Sequence, residues 1–306
     1  MRASLVPRFA LVIAGVAAMS ALAVAAPRPP AKAAAFDSDR AYGDLRQIVT
    51  FGPRPAGSAA LAETRTYIEG ELKKAGVTFH EQPFDASTPL GKVHMVNIVA
   101  TFPGTSPDRL LITGHYDTKL FRQFRFVGAD DGGSSAAFLL ELARVLQHRR
   151  NRMTIEIVFF DGEEAMVDWT GTDHTYGSRY FVEHARRTGT LGSIKAMVLV
   201  DMIGDRQLDI LRDDNSTAWL TDIVWSTAKR LGFDSYFLDR HTGIEDDHFP
   251  FLQAGVPSVD IIDLDYPYWH QAGDTLDKVS ARSLQIVGDV VLGALPAIEA
   301  RAMAEQ

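Results

Sequence analysis

The chain contains no cysteine. Disulfides, thiolate metal sites, cysteine nucleophiles and a lipid-modified cysteine are thereby excluded. Any bound metal must be held by His, Asp or Glu. Basic charge is also in deficit: 31 Lys and Arg stand against 39 Asp and Glu, a net charge of −8. A nucleic-acid partner would need a basic face, so none is expected. No internal repeat is visible. Beyond the N-terminus, no run reads as long and apolar enough to span a membrane.

What is present is a globular composition, with 306 residues that are 46% hydrophobic and 23% charged. That is enough for one large α/β domain or two small ones. At the N-terminus, Arg2 and Arg8 accompany an apolar run from Phe9 to Ala25. Ala23-Val24-Ala25 fits a small-x-small cleavage site. Residues 1–26 are therefore expected to be a signal peptide and 27–35 a Pro/Ala linker, with 36–306 as a single domain. The expected location is the periplasm or the cell exterior, without membrane attachment after cleavage.

Apolar runs alternate with helical patterns along the mature chain. Leu110 to Gly114, Met153 to Phe160, Ile194 to Val200 and Val256 to Leu264 read as strands buried on both faces. Residues 37–50, 58–75, the stretch after Gly133, 178–187, 217–231 and 281–300 read as helices. The alternation predicts an α/β fold, a mostly parallel central sheet with helices on both faces. Phe51 to Ser58 is a Pro/Gly loop whose Arg54 reads as a surface charge.

The strand ends carry the chemistry. Ile157-Val158-Phe159-Phe160 runs into Asp161-Gly162-Glu163-Glu164, a turn bearing adjacent carboxylates. His115 and Asp117 follow a second strand, Asp201 a third, and His270 comes after the last. Asp131 opens a helix, and Asp246-Asp247-His248 precede another. In open α/β sheets ligands bind at the carboxyl edge. Carboxylates gathered there repel one another unless a cation intervenes. His with carboxylates and no thiolate suits zinc.

The order His115-Tyr116-Asp117, Gly128-Ala129-Asp130-Asp131, Asp161-Gly162-Glu163-Glu164, Asp201-Met202-Ile203-Gly204 and a late His270 resembles the zinc aminopeptidase superfamily. Phe159 to Ala165 with Trp169, Tyr176-Gly177-Ser178-Arg179, Glu245 to Leu252 and Trp269-His270 are similar to its animal-type glutaminyl cyclases. The resemblance covers nearly all of residues 37–300. It implies a three-layer sandwich of the zinc exopeptidase (phosphorylase/hydrolase-like) kind, with a mixed, mostly parallel sheet. It also implies one zinc on Asp131, Glu164 and His270, with Glu163 as the proton-transfer group. Asp201 and Asp246 would form an acidic network beside it. Trp169, Trp269, Tyr266 and Glu245 would line the substrate pocket.

The implied reaction converts the N-terminal Gln of peptides to pyroglutamate with release of ammonia, and a monomer is expected. The alternative is a two-zinc aminopeptidase, in which His115 and Asp201 would take a second zinc and Glu163 would activate water. The tryptophans discriminate between the two if they wall a small pocket rather than fill the core. Asp260 departs from the family, which has a His in that acidic network.

Overall fold

Strand and helix boundaries follow from capping residues and from the period of the apolar positions. The computed structural model describes residues 35–304. The expected signal peptide lies outside them, as does all of the linker but its last residue. In chain order the elements are α1 (Ser38–Thr50), α2 (Ala59–Lys74), β1 (Thr78–Thr88), β2 (Gly91–Phe102), β3 (Gly104–His115), α3 (Gly133–Leu146), β4 (Asn151–Phe160) and α4 (Tyr176–Arg187). Then follow β5 (Ile194–Asp201), β6 (Ile210–Asp213), α5 (Ala218–Leu231), β7 (Phe237–Thr242), α6 (Phe249–Gln253), β8 (Ser258–Ile262) and α7 (Ala281–Ala304). Asp37 caps α1 by accepting from Arg40 N, and Ser58 caps α2 by accepting from Leu61 N. Lys73 and Lys74 sit in the last turn of α2, where the helix dipole favours cations.

The main sheet has six strands in the order β1-β2-β4-β3-β5-β8. β1 and β2 pair antiparallel, as do β2 and β4, while β3 is parallel to both β4 and β5, and β5 is parallel to β8. Side chains alternate across this sheet with period two. Ile155, Ile157, Phe159, Leu110, Ile112, Val198 and Val200 join one core with α1, α2, α3, α5 and α7. Val158, Phe160, Leu111, Met197 and Leu199 join the other, under Phe181 and Val182 of α4 and Phe251 of α6. The expected three-layer α/β arrangement is therefore present, with a mixed and mostly parallel sheet.

One expectation about the elements is corrected. α7 has the length and apolarity to cross a membrane, contrary to the reading of the sequence, but most of it is buried in the core. β7 was not anticipated. Its interior positions Asp239, Arg240 and His241 are exposed, so it carries no apolar alternation, and among the described residues it pairs only with the short β6.

Candidate active site

The parallel strands β3, β4, β5 and β8 all end at one edge. Their register sets His115 opposite Phe160 and Asp201 opposite Ile262. Past β4 the chain turns through Gly162, whose φ of +68° suits glycine. The turn presents Glu163 and Glu164. Their amides donate to the two oxygens of buried Asp117, at 3.2 and 3.4 Å. A single carboxylate thus orients both glutamates.

Asp131 arrives from the loop before α3. Gly132, next to it, has a φ of +73°, and a Cβ there would lie 2.3 Å from the Asp117 carbonyl oxygen. Only glycine lets this loop pass so close under His115. His270 stands in the loop after β8 at a φ of +53°. Met202, next to Asp201, is also left-handed at +44°, as is Thr175 at +49°. The described non-glycine residues with positive φ thus all fall at or beside this site, as stored strain often does.

Ligand atoms of Asp131, Glu164 and His270 all lie within 4.8 Å of one another. His270 Nε2 is 3.1 Å from Glu164 Oε1 and makes an ion-pair contact of 3.5 Å with Asp131 Oδ2. Asp131 Oδ2 and Glu164 Oε2 are buried without a hydrogen bond. Unpartnered buried carboxylate oxygens beside an imidazole are costly alone and fit a divalent cation. His115, Asp131 and Asp201 form a second such set, sharing Asp131. Within it, His115 Nε2 lies 3.0 Å from Asp201 Oδ1 and 3.3 Å from Asp131 Oδ1.

Burial and crowding set the proton affinities. Burial, with the charge of Glu164, pushes Asp131 up to about 6. Burial raises Glu163 well above the usual range, and Asp246 and Glu164 add to this against the opposing charge of His115. Burial and Asp201 push Asp246 up to about 6. A glutamate with raised proton affinity suits taking and returning a proton near neutral pH.

Asp131, Glu163, Glu164, Asp201, Asp246 and His270 line a cleft of about 520 Å³, together with Glu245, Trp169 and Trp269. Trp169 is 37% and Trp269 45% exposed, so neither is core packing. Tyr266 departs from expectation. It is buried and not among the residues lining the cleft. Its ring packs with Met202 and Ile262, and its hydroxyl donates to Asp274 at 2.8 Å. A phenol placed under the loop satisfies a buried carboxylate there. Ile244, Ile262 and Leu264 supply apolar wall instead. Asp260 is fully buried, with both oxygens unpartnered and Oδ2 3.7 Å from His248 Nδ1. Burial, with Asp246 and Asp213 nearby, holds it well above the carboxylate range.

Two supporting residues escaped the sequence reading. Arg54 is not a surface charge but fully buried. Its guanidinium donates to the carbonyls of Tyr116, Val127 and Gly128, tying β3 to the loop that carries Asp131. Burial lowers it to about 10, against the charges of Asp131, Asp274 and Asp117. Asp274 accepts the amides of Asp130 and Asp131 at 2.9 and 3.2 Å. A lone Arg in a Pro/Gly loop, or an Asp after a His, carries no local signal of such distant partners.

A profile of peptidase family M28 matches residues 97–295. The chain is 41% identical to a glutaminyl cyclase from an Acidobacteriales bacterium. That crystal structure superposes with a TM-score of 0.85 over 90% of this chain and 100% of the other. A glutaminyl-peptide cyclotransferase-like protein of Mus musculus is 32% identical, over 78% of this chain and 70% of that protein. A leucine aminopeptidase precursor from Bacteroides thetaiotaomicron is 26% identical. It has a TM-score of 0.78 over 86% of this chain and 98% of the other.

Proposed function

The chain belongs to peptidase family M28, and we propose that it is a zinc-dependent glutaminyl-peptide cyclotransferase. It converts the N-terminal Gln of peptides to a pyroglutamyl residue and releases ammonia. The observation that carries this reading is the pair of half-exposed tryptophans, Trp169 and Trp269, flanking Glu163, Glu164 and His270 in one small cleft. Such walls fit a Gln side chain and crowd an extended peptide.

Asp131, Glu164 and His270 hold one zinc per chain, a reading supported by their clustered donor atoms and two orphaned oxygens. Zinc bound there supplies Lewis-acid polarisation of the γ-carboxamide carbonyl. Glu163 accepts a proton from the substrate α-amine as its nitrogen bonds to the carbonyl carbon of the side-chain carboxamide, Cδ. The ring is five-membered, so the substrate itself supplies the proximity. Glu163 then returns the proton to the carboxamide nitrogen as the Cδ–Nε2 bond breaks and ammonia leaves. Asp201 and Asp246 form the acidic network beside Glu163, where burial and the charge of Asp201 raise the proton affinity of Asp246. Trp169 and Trp269 exclude the water that would hydrolyse the amide. Glu245, on the exposed rim of the cleft, contacts the bound peptide. The N-terminal segment directs the enzyme out of the cytoplasm.

The second donor set, His115, Asp131 and Asp201, favours one other reading, a two-zinc aminopeptidase. Ammonia release from Gln-peptides, assayed beside a chromogenic aminopeptidase substrate with zinc counted on the same sample, separates them. Ammonia release with one zinc per chain is expected. Two zincs and cleavage without cyclisation would overturn the cyclotransferase reading.

A further inference from the structure

The loop between β4 and α4 leaves the sheet edge at Glu163 and carries Trp169 out over the cleft. Its base is closed by backbone bonds, Thr175 N to Glu163 O at 2.7 Å and Tyr176 N to Gly162 O at 2.8 Å. Its far part is held differently. Asp173 is buried, and its carboxylate accepts the amides of Met166, Val167 and Asp168 at 3.0, 2.9 and 3.0 Å. The Tyr176 hydroxyl adds a bond to the same carboxylate at 2.6 Å. Arg179 grips the returning strand of the loop through the carbonyls of Thr172, His174 and Thr175. Between these grips, His174 is stacked flat on Trp169, ring centroids 4.2 Å apart and planes 13° from parallel.

We infer that Asp173, braced by Tyr176 and Arg179, is a positioning residue that fixes Trp169 as the substrate wall and thereby sets substrate affinity. A single ionised carboxylate gathers the amides that precede Trp169, and Arg179 gathers the carbonyls that follow it. The tryptophan is thus placed by charge-assisted bonds on both sides rather than by core packing. The chemistry is insulated from this device, because Glu163 and the loop base are tied by separate backbone bonds. The inference rests on the cyclotransferase reading for its substrate.

Asp173→Asn presents an amino group to the donor N–H groups on one side of the carboxylate, so part of the cage must open. The expected result is a rise of about fivefold to tenfold in KM for a Gln-peptide, with kcat within about twofold and zinc content unchanged, since an interaction common to ground and transition states is lost. In a Trp169→Ala background the same substitution should raise KM no further. Emission assigned to Trp169 by difference from a Trp169→Phe variant should shift to the red in Asp173→Asn.

Unchanged KM, additive effects in the double variant, or a fall in kcat that tracks a lower Tm would overturn the inference and leave Asp173 a merely structural residue. Tyr176→Phe removes a single donor and serves if Asp173→Asn does not fold. It should raise KM by about twofold, and no rise would count against the inference. The fluorescence shift needs no substrate. If the wild-type enzyme failed to cyclise Gln-peptides, the function would be wrong while the positioning of Trp169 was still decided.

Discussion

Glu163, Glu164, Asp131 and Asp201 enter the cleft from a strand end or from the turn that opens a helix, and all are buried. Trp169 and Trp269 stand on loops, half-exposed, and are held by hydrogen bonds to neighbouring backbone. The floor is therefore set on the sheet edge and braced beneath by Asp117 and Asp274. Trp169, by contrast, is held by the carboxylate cage of its own loop, and Trp269 by the hydrogen bond from its amide to the Tyr266 carbonyl. Register changes little without unfolding the sheet, whereas a loop cage can be altered one bond at a time. The difference predicts that floor substitutions act on kcat or on zinc, and wall substitutions on KM.

The largest effect should come from the floor. Glu163 is buried with its proton affinity raised, so its surroundings already accommodate a neutral side chain. Glu163→Gln should fold and retain zinc while kcat falls about 10³-fold, the usual scale for losing a general acid–base group. Steady-state kinetics and metal analysis of one preparation check this. Zinc lost along with activity would place Glu163 among the ligands and erase the division of labour between the two glutamates.

Asp274 tests the support beneath the floor. Its oxygens accept the amides of Asp130 and Asp131, and an Asn would turn an amino group toward one of them. Asp274→Asn should weaken zinc binding about tenfold, the lower end for loss of an outer partner of a metal ligand. The zinc-saturated variant should keep kcat within about twofold. Chelator competition measures the first quantity and turnover at saturating zinc the second. A collapse of kcat with unchanged zinc affinity would make Asp274 part of the reaction rather than a brace.

The same contrast explains what could be read in the chain beforehand. Buried strands announce themselves by continuous apolar runs, and the polar residue that ends each one is then a floor residue. Asp201 and Glu163-Glu164 were legible on that ground. His270 was legible only as a polar residue after the last strand, because it lies in a loop well past β8, and its place beside Asp131 and Glu164 was implied by the resemblance to known enzymes alone. Arg54 was misread because burial of a guanidinium depends on carbonyls distant in sequence, those of Tyr116, Val127 and Gly128. Tyr266 was misplaced by analogy, since its hydroxyl answers to Asp274 beneath the loop. Register and apolar period are local in sequence, while cages are made by partners that no pattern announces.

Trp269 is where the contrast could fail. Its ring stacks on His270, centroids 4.5 Å apart and planes 26° from parallel, so a wall residue touches an expected zinc ligand. Phe121 and Phe126 meet the same imidazole edge-on at 5.6 and 6.0 Å. The imidazole is thus held by two other rings when Trp269 is removed, and by its contact with Glu164. Trp269→Ala should therefore raise KM by about fivefold, the worth of one aromatic contact, and leave zinc affinity within about twofold. Competition with a chelator beside KM for a Gln-peptide decides it. If zinc affinity fell more than KM rose, the stack would belong to the metal centre, and the boundary between floor and wall would run through Trp269 rather than beside it.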